Sequence, residues 1–175
     1  MSGYAVRYVV LAPLLFALFY FEGFSPLLFI NALQTELTVL LTKAGITLFA
    51  MPIRMEGNTL AFGHGIRLYI VNACNGFASV LFFWSAVLAF PTRLKEKVLW
   101  LLVGYVMLSA LNTVRILAVA YGMTLDPQSF GWAHDIVGRY GTGVFILLLF
   151  WLFTRGVEIK RPNSAFVPSL QKEGA

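Results

Sequence analysis

Three residues with strong chemical character stand in separate parts of this chain: Cys74, Arg115 and His134. Cys74 is the only cysteine, and its thiolate would be a nucleophile toward a carbonyl carbon. His134 could take and return a proton near neutral pH. Arg115 cannot lose its proton and could hold a carboxylate or a developing oxyanion. Together these side chains have the chemistry of acyl transfer.

Neighbouring residues could support that chemistry. Asn112 stands three residues before Arg115, on the same face of a helix, where it could orient the guanidinium or donate to a substrate. Gly76 would let a substrate backbone come close. A helix start after Asn75 and Gly76 would expose an amide that could donate to an oxyanion. We therefore treat Asn112, Asn75 and Gly76 as supporting site residues.

The proton carrier has two candidates. His64 lies between Gly63 and Gly65 in a mobile stretch, whereas His134 begins a predicted helix and is therefore preferred. Asp135, next in the chain, could orient the His134 ring or cap the helix. Structural roles compete with all of these: a lone cysteine can be a small packing residue, and a histidine at a helix start can be a cap. An arginine inside a membrane span is functional by default.

The composition places these residues in a membrane protein. The chain has 175 residues, of which 59% are hydrophobic and 12% charged, and its mean hydropathy is +0.78. A soluble domain of this size could not bury so much apolar surface. The net charge of +5 comes from basic residues beside apolar segments, so nucleic acid is not an expected partner. One cysteine excludes an internal disulfide and argues against a thiolate cluster; no metal or cofactor is expected.

The apolar pattern predicts an all-α polytopic membrane protein of about four transmembrane helices and one domain. The expected spans are 6–21, 74–90, 98–121 and 134–153. Segment 27–50 is amphipathic and predicts a helix that lies in the interface or lines a bundle cavity. Segment 51–73 alternates apolar and polar residues around turn signals and predicts a short extracytoplasmic β-segment. The polar face of segment 27–50 comprises Asn31, Gln34, Thr35, Thr38 and Thr42.

Basic residues near the span ends set the orientation. The loop containing Arg93, Lys95 and Lys97 and the tail 156–175 should both be cytoplasmic, so Cys74 falls at the outer start of the second span. Arg115 lies about 9 Å below the outer end of the third span. His134 opens the fourth span from the same side. The expected location is therefore the inner (cytoplasmic) membrane, with the site facing outward.

Three ordered motifs carry a resemblance: "ACNGF" (73–77), "LNTVRI" (111–116) and "AHDIVG" (133–138). The chain resembles the exosortase/archaeosortase family of membrane proteins, which are proposed to be cysteine transpeptidases. The match covers roughly 35–153, and the small number of spans is similar to a compact subfamily such as exosortase H. By position, the resemblance implies Cys74 as nucleophile, Arg115 as transition-state stabiliser and His134 as acid and base.

The resemblance also implies the substrates. They would be secreted proteins whose C-terminal sorting signal combines a short motif, a transmembrane helix and a basic tail. The enzyme would cleave that signal at the extracytoplasmic face and transfer the acyl product to an acceptor. The alternatives are a membrane protease that only hydrolyses, a non-catalytic assembly or substrate-binding subunit, and a transporter. The sequence leaves open the sorting motif, the acceptor, the oligomeric state and whether 27–50 spans the membrane.

Overall fold

The computed structural model describes residues 2–63 and 65–157. The chain folds into apolar helices with a small antiparallel sheet inserted between the second and third of them. Single helical turns at Asn72–Cys74 and Pro127–Ser129 and a π-helical segment at His134–Gly141 complete it. The elements are α1 (Ser2–Phe19), α2 (Leu28–Leu48), β1 (Ile53–Glu56), β2 (Thr59–Phe62), β3 (Arg67–Tyr69), α3 (Phe77–Ala89), α4 (Leu94–Leu125), α5 (Phe130–Ala133) and α6 (Thr142–Gly156).

The expectation of a mostly helical chain with a small sheet is confirmed, while the number of membrane crossings stays a prediction. In the described part of the chain, α4 is the one helix that is both long and apolar enough to cross a membrane by itself. Its 32 residues make a rod of about 48 Å, longer than a hydrocarbon core of about 30 Å. The other apolar helices, α1, α3 and α6, are shorter. The π-helical segment and α5 lead directly into α6, which extends that helical stretch.

Helices α1 and α3 pack side by side in opposite directions. Phe19 at the end of α1 meets Phe77 at the start of α3, with ring centroids 6.2 Å apart. Tyr4 near the start of α1 meets Phe90 after α3, at 6.0 Å. The bundle thus has a Cys74 end and a Pro91 end. Phe153 of α6 contacts Phe90 at 5.2 Å, so α6 finishes at the Pro91 end.

Helix α2 turns its polar face inward. Asn31, Gln34, Thr38 and Thr42 are all buried, whereas Leu33, Leu40 and Leu48 are exposed. This arrangement suits a helix whose outer face meets hydrocarbon and whose polar groups bond to other helices. Of the two sequence-based options for this segment, the structure therefore has the helix lining the bundle interior.

Helix α2 runs in the same direction as α4. Gln34 Nε2 donates to Ser109 Oγ at 3.2 Å, and a Cβ at Gly45 would lie 2.4 Å from Leu117 Cδ1. Residue numbers therefore rise together along the contact, from the level of Ser109 toward the end of α4. Along this contact, α2 therefore runs away from the Pro91 end of the bundle.

The sheet is a meander with the order β1-β2-β3. A two-residue turn, Gly57-Asn58, joins β1 to β2, and Glu56 pairs with Thr59 across it. Gly57 has a φ of 59°, a conformation that favours glycine in tight hairpin turns. Apolar side chains of the sheet, Leu60 and Ile70 among them, join one buried cluster with side chains of α4. The sheet is therefore fixed to the C-terminal part of α4, near Cys74.

Candidate active site

Cys74 is the last residue of the helical turn Asn72–Cys74, immediately before α3, and its side chain is partly exposed. Its backbone N–H donates to Val71 O at 2.8 Å. Its carbonyl oxygen accepts a bond of 3.1 Å from Asn112 Nδ2. The backbone at the thiol is thus fixed from both sides, by its own turn and by α4. Asn112 thus holds the Cys74 backbone, and its expected roles toward Arg115 and toward a substrate stay predictions.

The backbone conformation and the close packing at position 76 require a glycine. Its φ is 78°, in the left-handed region that side-chain-bearing residues rarely adopt. A Cβ there would lie 2.7 Å from Asn112 Cγ and 2.8 Å from Asn112 Cβ, closer than such atoms approach. Asn112 therefore packs directly against Gly76 and holds the turn against α4.

Asn75 ties the turn to α2. Its side chain is fully buried, and its Nδ2 donates to Asn31 Oδ1 at 2.6 Å and to Thr35 Oγ1 at 2.9 Å. Its Oδ1 accepts from the N–H of Phe77 at 2.9 Å, which caps the first turn of α3. Its carbonyl oxygen accepts from Gln34 and Thr38, each at 3.3 Å. Asn75 is a positioning residue that fixes Cys74 relative to α2 and α3.

Arg115 lies on α4, one helical turn after Asn112, and is partly buried. Its guanidinium is within electrostatic range of the Cys74 thiol. The chain at Gly138 packs close to it, since a Cβ at Gly138 would lie 3.8 Å from Arg115 Cδ and 3.9 Å from Nη1. Over residues 2–63 and 65–157, no carboxylate forms an ion pair with Arg115. Its charge is therefore available to a ligand.

His134 is the first residue of the π-helical segment. Its ring stacks on Phe130, with centroids 5.4 Å apart and planes at 29°. Its Nδ1 lies 3.6 Å from Asp135 Oδ1, which is longer than a hydrogen bond but close enough for electrostatic attraction. Such π-helical turns often occur at functional sites. The His134 ring therefore lies between the Phe130 ring and the Asp135 carboxylate.

Cys74, Arg115 and His134 line one cavity of ≈ 60 Å³. The structure thus brings together the three residues singled out in the sequence, from the turn before α3, from α4 and from the segment before α6. The rest of the lining is mostly apolar, so charges inside the cavity interact more strongly than in water. The other lining residues are Leu68, Tyr69, Ile70, Ile116, Val119 and Phe130.

Sequence reasoning missed the strand residues and Phe130 in this lining. Val119 follows Arg115 by four residues and Phe130 stands four residues before His134, so helical periodicity would have found these two. Tyr69 gives no such signal, because its place beside Cys74 depends on how the sheet packs on α4. Asn75 and Gly76 hold the turn that carries Cys74, and their expected roles toward a substrate stay predictions.

A larger open groove of ≈ 570 Å³ lies between α2 and the β1–β2 turn. Its lining includes Glu36, Lys43 and Asn58 but none of the three chemically active residues. Size alone would favour it as a binding site, yet the smaller cavity contains Cys74, Arg115 and His134. In the described ranges, no three His, Cys, Asp or Glu residues lie close enough together to hold a metal ion.

Some sequence-based expectations lie outside the described residues. His64, the alternative proton carrier, is one of them, and so is most of the tail 156–175, from residue 158 onward. The roles assigned to these positions stay predictions.

A bundle of apolar helices that brings a thiol, a guanidinium and an imidazole into one cavity defines a membrane protein with a candidate cysteine-dependent site. The family model for transmembrane exosortases (Exosortase_EpsH) matches residues 1–151. The chain therefore belongs to the transmembrane exosortase family, and it is a membrane protein. The resemblance inferred from the three motifs is confirmed. Comparison with curated proteins and with solved structures gave no match.

Proposed function

We propose that this exosortase is a membrane-embedded cysteine transpeptidase that cleaves a C-terminal sorting signal of secreted proteins. The observation that carries this proposal is the shared cavity of Cys74, Arg115 and His134. The family supports secreted protein substrates. The substrate's own transmembrane helix would lie in the bilayer beside the bundle, so that its motif reaches the cavity without a three-dimensional search.

In the proposed first step, the Cys74 thiolate attacks the scissile carbonyl carbon after His134 has taken the thiol proton. Arg115 attracts the thiolate and then stabilises the negative charge on the carbonyl oxygen. The carbon–nitrogen bond breaks, His134 returns its proton to the leaving amine, and the fragment bearing the transmembrane helix departs. The remaining acyl group is held on Cys74 as a thioester.

In the second step, an acceptor attacks the thioester carbon. His134 removes the proton of the acceptor, the carbon–sulfur bond breaks, and the thiol of Cys74 is restored. An amine acceptor gives transfer, whereas water gives hydrolysis. The cavity lining supports transfer, because its apolar side chains limit the access of water to the thioester.

The test is Cys74→Ala, expressed in place of the native protein. We expect the level of membrane-inserted protein to be unchanged, while secreted precursors retain their C-terminal helix. Mass spectrometry of the C-termini of secreted proteins, compared with cells carrying the native chain, identifies those precursors. Cys74→Ser is the matched control for packing, since it keeps a small side chain but has a much weaker nucleophile.

Each outcome has a definite meaning. Normal precursor processing in Cys74→Ala excludes the thiol mechanism and leaves a non-catalytic substrate-binding or assembly role. Loss of processing in both variants, with the protein still inserted, supports nucleophilic catalysis. The product separates the two enzymatic versions: a conjugated C-terminus supports transfer, and a free carboxylate supports hydrolysis.

A further inference from the structure

Strand β3 has one paired edge and one open edge. It pairs with β2 only, since the sheet order is β1-β2-β3. Tyr69 lies opposite Thr59, and Leu68 lies opposite Leu60. The open edge is therefore the side of β3 turned away from the rest of the sheet.

The hydrogen bonds around β3 show which backbone groups face that edge. Ile70 N–H donates to Asn58 O at 2.8 Å, and Phe62 N–H donates to Ile66 O at 3.0 Å. In an antiparallel pair, bonded and non-bonded residue pairs alternate. Tyr69 and Thr59 therefore form a non-bonded pair, and the N–H and C=O of Tyr69 point away from β2. In the described part of the chain, no group bonds to them.

The open edge borders the cavity that contains Cys74. Leu68, Tyr69 and Ile70 all line that cavity. Successive side chains of a strand point to opposite faces, so a space that touches three consecutive residues runs along the strand's edge. The Tyr69 backbone thus presents a free donor and a free acceptor to the space beside the thiol.

We propose that the substrate's sorting motif binds as an added strand on the open edge of β3, paired with the backbone of Tyr69. Extended peptides commonly bind to open sheet edges in this way, with main-chain bonds giving affinity and alternate side chains giving specificity. Cys74 follows β3 after only four intervening residues, 70–73. Pairing along β3 would therefore lead the scissile carbonyl toward the thiol. This inference rests on the proposed function and adds how the peptide is bound.

The test compares Tyr69→Pro with Tyr69→Ala, using a precursor whose processing depends on Cys74 as the probe. Both variants lose the phenol ring, but only proline also removes the N–H. Proline is tolerated at strand edges where its nitrogen faces outward, so the β2–β3 bonds should persist. We expect Tyr69→Pro to process the precursor about tenfold more slowly than Tyr69→Ala, the effect of one lost hydrogen bond.

Folding is checked separately. Both variants should reach the membrane at the native level, and their Cys74 should react with a maleimide at the native rate. If Tyr69→Pro fails this check, the precursor itself supplies the test, through proline and alanine placed in turn at each position near its cleavage point. An added strand predicts that proline slows processing more than alanine at every second position.

The outcomes separate this inference from the proposed function. If no secreted precursor depends on Cys74, the proposed function fails. A precursor that depends on Cys74 supports the proposed function. If proline and alanine then have equal effects, either at Tyr69 in a folded variant or at all positions of the precursor, strand addition is wrong and the proposed function stands. A difference confined to proline, with the alternating pattern in the precursor, supports strand addition.

Discussion

At Arg115 the shape of the charged group matters as well as its charge. A guanidinium offers several N–H donors in a fixed plane, whereas a lysine ammonium is a compact point charge. The described part of the structure gives this guanidinium no carboxylate partner. The chain at Gly138 packs against it, which restricts its movement. A fixed, unpaired donor set is what stabilisation of a developing oxyanion requires.

We therefore expect Arg115→Lys to lower the rate of precursor processing by about 100-fold, the typical effect of losing a transition-state donor. Pulse-chase labelling of a Cys74-dependent precursor measures that rate. Arg155→Lys is the matched control. Its guanidinium carbon lies 4.9 Å from the centroid of the Trp151 ring, toward the Pro91 end, and its rate should not change. If both variants process the precursor at the same rate, Arg115 acts only as a point charge or as a structural residue.

At the scale of elements, α2 and the turn before α3 act as one unit. Asn75 bonds to Asn31 and Thr35 on α2 and to the first turn of α3. Gln34 of α2 also accepts a hydrogen bond from Tyr105 OH at 2.7 Å, so α4 belongs to the same unit. These bonds are buried or partly buried, where a polar group left without a partner is costly. The position of Cys74 therefore depends on α2 although α2 contributes no residue to the cavity lining.

Asn75→Ala should destabilise the protein by about 3 kcal/mol, because several buried groups lose their partner. Thermal unfolding in detergent measures this loss as a lower transition temperature. Asn72→Ala is the control, since the Asn72 side chain bonds nearer the surface. Its described bonds are to Thr35 at 2.7 Å and to Glu22 at 3.1 Å. A similar fall in both variants would contradict the importance assigned to the buried network.

The sequence predicted the helices and the convergence of Cys74, Arg115 and His134 because span order and basic residues put all three at one end. It predicted that α2 is amphipathic but left open which way its polar face points. That choice depends on whether partners exist inside the bundle, and Asn75, Ser109 and Tyr105 are distant in sequence. The π-helical turn at His134 and the place of Tyr69 are likewise products of tertiary packing that local residue types do not encode.

At the scale of the whole molecule, the loop before α4 and the end of α6 carry basic residues at the Pro91 end of the bundle. Lys95 and Lys97 begin α4 at the Pro91 end, and Arg155 ends α6 there. Cys74 and the sheet are at the opposite end. The Cys74 end has basic residues too, Lys43, Arg54 and Arg67, but the rule that basic loops stay in the cytoplasm applies to short loops next to the spans, and the short loop at the Pro91 end is basic. We therefore expect the candidate site to face outward.

The single cysteine makes this orientation testable without engineering the native chain. A membrane-impermeant maleimide should label Cys74 in intact spheroplasts. In the double variant Cys74→Ala/Lys95→Cys, the new thiol lies at an exposed position of the Pro91 end and should be labelled only after the membrane is opened. The reverse pattern would place the site in the cytoplasm.

The inward-facing polar side of α2 also constrains the order of assembly. Gln34 finds its partners Tyr105 and Ser109 on α4, 71 and 75 residues further along the chain. Until α4 has been synthesised, the Gln34 amide lacks these partners, and water must take their place because lipid offers none. We therefore expect α2 to stay at the aqueous boundary of the bilayer until α4 is present, so that the turn containing Cys74 is completed late in biogenesis.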